Sequence, residues 1–396
     1  GRERLFVAIG DDIDYIGEQE CFGTEGQIGA VIHMDARRFR HGGPYEDTAA
    51  VCRMARDLTT PVVRVNMTGG NNDIIYYGGS AVANAKGELL LQLKLFEEEL
   101  AVIDLDDLNR FKPIPLTKEN GKRKIRNVQR AIVCGVRDYF RKRGFTKACL
   151  GLSGGIDSAV VLALACKALG RENVEVLLMP SQFSSDHSVT DAVEMAERLG
   201  ITYHTVPIEP IYNAYMEPLG KIFGNLPFSV AEENLQARIR GTLLMTYANK
   251  FDMLLLNTSN KSEAAMGYGT LYGDTNGALS ILGDLYKHEV YALARLINEE
   301  KEIIPQTIID KEPSAELRPG QKDCDSLPPY EVLDRILYGL IEEGAECDDL
   351  IDEKADRETI LRIRRQLQQN EYKRYQLPPV LRLSAVTLGK ERIMPF

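Results

Sequence analysis

Several features are missing from this 396-residue chain, and each absence excludes something. No apolar run approaches the roughly 20 residues of a membrane span, so no membrane association is expected. Nor is there a signal-peptide pattern, because Gly1, Arg2, Glu3 and Arg4 lead straight into a short strand-like run. Gly rather than Met at position 1 fits a fragment or a trimmed chain. The 7 cysteines include no Cys-x-x-Cys pair, and Cys149 and Cys166 lie in apolar segments as reduced, small hydrophobes. His187, His204 and His288 lack metal-ligand spacing and read as structural. Positive charge is in deficit, with 48 Lys and Arg against 58 Asp and Glu, a formal net of -10. Such a surface repels phosphate backbones, so no nucleic-acid partner is expected and a cytoplasmic location fits.

What is present divides into two patterns. Leu5–Ile9, Gly29–Met34 and Pro61–Val65 read as strands, and Tyr45–Leu58 as a helix. The run Ile74–Ala83 leads through the turn Asn84–Gly87 into Glu88–Leu93, which reads as a hairpin. Residues 106–125 are largely polar, hold prolines and end in Lys118, Lys122, Arg123 and Lys124, so they read as a linker with a solvated charge run. From 126 onward strands and helices alternate. Ala148–Leu152, Val174–Met179, Ile201–Ile208 and Met253–Leu256 are near-continuous apolar strands, separated by helices at Ser158–Leu169, around Val189–Leu199 and at Glu232–Lys250. That alternation implies a doubly wound parallel α/β sheet covered on both faces, with ligands at the carboxyl ends of its strands.

The sharpest local signal is the strand–turn–helix segment Leu150-Gly151-Leu152-Ser153-Gly154-Gly155-Ile156-Asp157-Ser158-Ala159. Glycines permit positive φ and close anion approach, and the turn's N–H groups with the helix N-terminus would face a phosphate. Ser153 and Ser158 add hydroxyls. Asp157 would repel a bare phosphate, so its presence suggests an intervening cation, for which magnesium is suited. The alternative is a helix cap with no ligand. No Gly-Lys-Ser/Thr follows, so this is not a Walker loop.

Ser153-Gly154-Gly155-Ile156-Asp157-Ser158 resembles the signature of the ATP pyrophosphatases. Further on, Lys261-Ser262-Glu263 followed by Gly267-Tyr268-Gly269-Thr270-Leu271-Tyr272-Gly273-Asp274 is similar to the pattern of the NAD synthetase family. Glu233–Arg240, Lys311–Pro319 and Glu371-Tyr372-Lys373-Arg374 resemble other segments of that family in the same order. The resemblance implies an adenine nucleotide alpha hydrolase-like domain over 126–396 that uses ATP and Mg2+. It makes Asp157 and Glu263 metal ligands and, with Lys287, the catalytic set. Arg240, Thr258 and Lys287 would join residues 153–158 in holding ATP, and Asn234, Asp274 and Lys373 would contact deamido-NAD. Plain alternatives stay open: a surface carboxylate for Glu263, a helix-surface ion pair for Arg240, solvated surface for Lys287, and caps or turns for Asn234 and Asp274. The implied reaction adenylates the nicotinate carboxylate, releases pyrophosphate and amidates with ammonia, in a homodimer or higher homo-oligomer. Rival readings are a GMP synthetase-like or tRNA thiolation enzyme, and a non-catalytic nucleotide-binding scaffold.

Residues 1–105, and most clearly 62–99, resemble the end of the nitrilase-like glutaminase region of glutamine-dependent NAD synthetases, an α/β sandwich. In that resemblance Ala8-Ile9-Gly10-Asp11-Asp12-Ile13 falls where the family carries Ile-Cys-Glu-Asp, which puts Gly10 at the nucleophile position. Glycine has no side chain with which to attack an amide. Cys21 lies too close to the next strand to replace it, and the upstream half with the family's Glu and Lys partners is absent. The expectation is a partial, degenerate glutaminase region and ammonia as nitrogen source; the alternative is a glutamine-dependent enzyme whose glutaminase half is incomplete here.

Overall fold

A computed structural model describes residues 4–15, 28–325, 327–389 and 391. Cys21 lies outside the described residues. The chain forms two compact units, Gly1–Asp138 and Tyr139–Phe396.

In the first unit β1 (Arg4–Ile9), β2 (Ile28–Asp35), α1 (Gly43–Asp57) and β3 (Val62–Asn66) precede β4 (Thr68–Asn71), β5 (Ile74–Tyr77), β6 (Ala81–Ala83) and β7 (Leu89–Gln92). The sheet runs β1-β2-β3-β6-β7, parallel across β1, β2 and β3 and antiparallel beyond. Side chains alternate between its faces. Ala8, Val31 and Val62 form a core with Val51, Cys52 and Ala55 of α1. On the opposite face Leu5, Val7, Ile9, Met34 and Val65 are 48–64% exposed.

The hairpin across Asn84–Gly87 forms as β6-β7, but the run Ile74–Ala83 is not one strand. Gly78 and Gly79 interrupt it with φ of 66° and 62°, so β5 pairs with β4 and β6 with β3 and β7. Helix α2 (Gly121–Arg143) starts earlier than the alternating pattern suggested, so Lys122, Arg123 and Lys124 form its first turn.

The second unit is wound from β8 (Ala148–Gly151), α3 (Ile156–Leu169), β9 (Val174–Leu178), α4 (Asp186–Leu199), β10 (Thr202–Thr205), α5 (Glu209–Phe223), α6 (Val230–Lys250), β11 (Leu254–Asn257), α7 (Lys261–Met266), β12 (Leu279–Ser280) and α8 (Lys287–Ile297). All five strands are parallel, in the order β10-β9-β8-β11-β12. The order reverses between β8 and β11, which opens a crevice at their carboxyl ends. Cys149, Leu177 and Leu255 pack beneath α5 and α6. Their alternate neighbours point the other way, where α3 is buried along most of its length. Strand β10 is shorter than the run 201–208, although Val206 N and Ile208 N still donate to Leu178 O and Pro180 O; Pro207 lies between them, where its missing N–H would face away from β9.

Helices α9 (Gln306–Asp310), α10 (Tyr330–Tyr338), α11 (Arg357–Gln369) and α12 (Glu371–Arg374) complete the unit. Leu333, Ile336 and Leu337 of α10 and Ile360, Ile363 and Leu367 of α11 form a separate core around Ala265 and Met266 of α7. That core matters for the site, because α7 carries Glu263.

Candidate active site

The turn after β8 is tight for a definite reason. Gly154 has φ +75°, and a Cβ there would lie 2.2 Å from the Ser188 carbonyl oxygen. No other residue fits so close to α4 in that conformation. The hydroxyls of Ser153 and Ser158 cross-link the turn, 3.1 Å apart, and Ser158 Oγ donates to Gly155 O at 3.0 Å. Helix α3 opens at Gly155 with no side-chain cap, so its first N–H groups are left to the crevice. This arrangement is compatible with an anion, although the two hydroxyls expected as donors are already partnered within the turn.

Three charged side chains meet beside this turn. Lys287 Nζ, on a side chain only 2% exposed, reaches Asp157 Oδ2 at 2.5 Å and Glu263 Oε1 at 3.4 Å. Neither Lys287 nor Glu263 is therefore plain solvated surface. Burial opposes the Lys287 charge, but the two carboxylates hold its ammonium well above the ordinary range. Burial and the Asp157 charge push the Glu263 carboxyl up to about 8, against the pull of Lys287 and of the Asn260 N–H.

Asn260 ties the pair together. Its Nδ2 donates to Asp157 Oδ1 at 2.9 Å, and its Oδ1 accepts from the Glu263 N–H at 2.9 Å. Glu263 Oε2 accepts in return from the Asn260 N–H at 3.2 Å. This is a capping box, which leaves Glu263 Oε1 for Lys287. The Asn-x-x-Glu spacing was the available sequence signal for Asn260, which motif reading passed over. Ser262 Oγ accepts from the Lys287 N–H at 3.0 Å and donates to Asp334, fixing the start of α8 against α7. The Lys287 ammonium also lies 5.2 Å from the Tyr330 ring centroid.

Asp157, Glu263 and Lys287 line a cavity of about 300 Å³. Ser153, Gly155, Ile156, Asp157 and Ser158 reach it from the turn, and Glu263 and Lys287 from α7 and α8. Arg240, Thr258 and Asp274 also line it. The Arg240 guanidinium donates to Met179 O at 3.0 Å, and burial lowers it to about 10 despite Asp274 and Glu316. Asp274 Oδ1 accepts from Thr270 N at 2.6 Å, and burial raises its carboxyl above the usual range.

Gly154, Asn234 and Lys373 are not among the lining residues. Asn234 Oδ1 instead accepts from Thr270 Oγ1 at 2.7 Å, while Lys373 Nζ donates to Gly267 O at 2.7 Å and Gly269 O at 2.9 Å. Two residues to which motif reading gave no role, Lys311 and Glu316, also line the cavity. Lys311 pairs with Glu316 at 2.9 Å, and Glu316 accepts from Ser185 and Ser188. Burial alone would raise the Glu316 carboxyl; bonds from Ser188, Lys311 and Ser185 outweigh it and hold it low.

A glycine turn and paired carboxylates at the switch point of a parallel sheet are the features of a nucleotide-phosphate site. Comparison with known proteins narrows the class. Residues 128–378 match the NAD synthase family and residues 30–112 the carbon-nitrogen hydrolase family. The glutamine-dependent NAD(+) synthetase of Synechocystis sp. is 44% identical over 373 residues, covering 93% of this chain and 66% of that protein. The glutamine-dependent NAD(+) synthetase of Thermotoga maritima is 40% identical over 437 residues, covering 100% of this chain and 75% of that protein. Among solved structures, the glutamine-dependent NAD+ synthetase of Acinetobacter baumannii, in complex with ADP, superimposes with a TM-score of 0.72 at 36% identity, covering 98% of this chain and 71% of that one.

The chain belongs to the NAD synthetase family, with a nitrilase-like region ahead of the synthetase domain. It spans about two thirds of the length of the Synechocystis relative. All three relatives are of the glutamine-dependent type, which favours that alternative over the expectation of ammonia as the only source. Gly10 lies upstream of the matched hydrolase span.

Proposed function

We propose that this chain carries out the synthetase reaction of a glutamine-dependent NAD synthetase, converting deamido-NAD to NAD with Mg-ATP. The observation that carries this reading is the meeting of Asp157, Glu263 and Lys287 beside the Gly154 turn. In the first step a nicotinate carboxylate oxygen attacks the α-phosphorus of ATP, the bond to the β-phosphate bridge breaks, and pyrophosphate leaves. In the second, ammonia attacks the activated carbonyl carbon, loses a proton, and AMP departs with the former carboxylate oxygen. The turn's N–H groups and Lys287 would hold phosphate oxygens, with Arg240 and Thr258 at the cavity wall beside them. Asp274, on the cavity wall, would contact the dinucleotide, while Asn234 and Lys373 would act on it through the Thr270 and Gly267–Gly269 segments they hold. Positioning and charge neutralisation supply the catalysis, and no covalent enzyme intermediate is needed.

The residues present fit a magnesium ion. Asp157 and Glu263 converge on the single Lys287 ammonium, at 2.5 and 3.4 Å, so two carboxylates stand side by side with one cation between them. Among the described residues no group of three His, Cys, Asp or Glu side chains surrounds a point. Two carboxylates, with water and phosphate oxygens for the rest, is the usual protein share of a magnesium shell. When bound, the ion would neutralise charge on the phosphates.

A second reading concerns the nitrogen source. Gly10 opens the short helical turn after β1 with φ +57° and carries no nucleophile, which favours ammonia taken directly. NAD formation from deamido-NAD and Mg-ATP, measured with ammonium and with glutamine in separate reactions, decides between them. Comparable turnover with glutamine supports the glutamine-dependent reading, and turnover with ammonium alone supports the second. Turnover with neither would remove both. Homodimerisation belongs to the same proposal, supported by exposed Ile222, Leu226, Phe228 and Val230 around the α5–α6 connection; sedimentation is its test.

A further inference from the structure

Helix α7 has six residues, too few to be stable alone, yet it holds Glu263 in place. Its terminal carbonyls are taken by side chains about a hundred residues further along the chain. Asn370 Nδ2 donates to Met266 O at 2.9 Å. Arg374 Nη1 donates to Ala264 O at 3.2 Å and Ala265 O at 3.0 Å, and its Nη2 to Leu367 O. The guanidinium is 5% exposed and is oriented by Glu371 Oε2 at 2.8 and 3.3 Å. The approach is close: a Cβ at Gly267 would lie 2.2 Å from Asn370 Cγ.

We propose that α12 clamps α7, and that Arg374 is a positioning residue that sets Glu263 against Asp157 and Lys287. Nη1 reaches two successive carbonyls of α7 while Nη2 is held by Leu367 O and Glu371, so the planar guanidinium ties the rotation and the axial position of α7 to α11 and α12. Glu263 immediately precedes Ala264 and Ala265, whose carbonyls are held, so a tilt of α7 moves its carboxylate directly. The inference rests on the reading of Glu263 as a cation-binding carboxylate.

The test is calorimetric ATP binding by the full chain, with and without Mg2+. Arg374→Met is expected to lose about tenfold of the affinity gained on adding Mg2+, while metal-free affinity stays within about twofold of wild type. Arg374→Lys should recover part of the loss. An undiminished Mg2+-dependent gain in Arg374→Met, with only the melting temperature lowered, overturns the proposal. Should that variant fail to fold, Asn370→Ala decides, since losing its bond to Met266 O should reduce the gain by about threefold. No reduction there overturns the proposal equally. A wild-type protein without any Mg2+-dependent gain would defeat the reading of Glu263 itself.

Discussion

A carboxylate buried beside a second carboxylate is costly to ionise, and Glu263 carries that penalty. Its folded form holds a proton up to about 8, whereas an unfolded glutamate releases it near 4.5. Across that window the native state binds more protons than the unfolded state, so stability falls as pH rises from about 4.5 to about 8. Lys287 is shifted upward too, but its contribution is fully present below its unfolded value of 10.5 and does not vary in this window. Melting curves in chelator should therefore show wild type losing stability with pH relative to Glu263→Gln, and parallel profiles would contradict the assignment. Gly154 gives a second prediction at this scale. Gly154→Ala must accept φ +75° and a Cβ 2.2 Å from Ser188 O, so the turn has to move. A destabilisation of about 2 kcal/mol or more is expected in urea unfolding, with loss of ATP binding.

Among elements, α7 best shows where sequence stops being informative. The Lys261-Ser262-Glu263 motif marked its place, but nothing local revealed how so short a helix is held. Its first residue, Lys261, is fully buried and pairs with Asp284 at 3.0 Å and with Glu342, while also donating to Ser384 Oγ at 2.8 Å and Val386 O at 2.7 Å. Those partners come from three distant segments and carry no spacing signal. Removing one member of such a network strands the others, so Lys261→Met is expected to cost about 3–5 kcal/mol in urea denaturation. A loss below about 1 kcal/mol would mean the network is not structural. Where pairing follows from the nearby chain, the sequence was easier to read. Strands β8, β9 and β11 and helix α3 announce themselves by apolar continuity. The split of Ile74–Ala83 did not, because Gly78 and Gly79 look like any hairpin glycines until their φ values are known.

At the scale of the whole molecule, the two units differ in how completely they are covered. The second unit buries both faces of its sheet, which parallel strands of that composition require. The first leaves Leu5, Val7, Ile9, Met34 and Val65 exposed on one face. A patch of this kind should bind an apolar dye, and Val7→Lys with Val65→Lys should lower that binding without lowering ATP affinity. Dye binding unchanged by the two lysines would show that this face is already covered. The fold class could be reached from the repeating α/β pattern, and the family resemblance named Asp157, Glu263 and Lys287 as one set, but their ion pairing appears only in the structure. The roles of Tyr330 and Arg374 arise only where distant segments pack, and for Asn260 the local cap was legible but its bond to Asp157 was not.

The central claim is that this cavity directs attack at the α-phosphorus of ATP. The direct measurement is the product balance when the chain is given deamido-NAD, Mg-ATP and ammonium. AMP, pyrophosphate and NAD in equal amounts, abolished in Asp157→Asn, is the expected result. ADP and inorganic phosphate as products, or NAD formation unaffected by Asp157→Asn, would contradict the account.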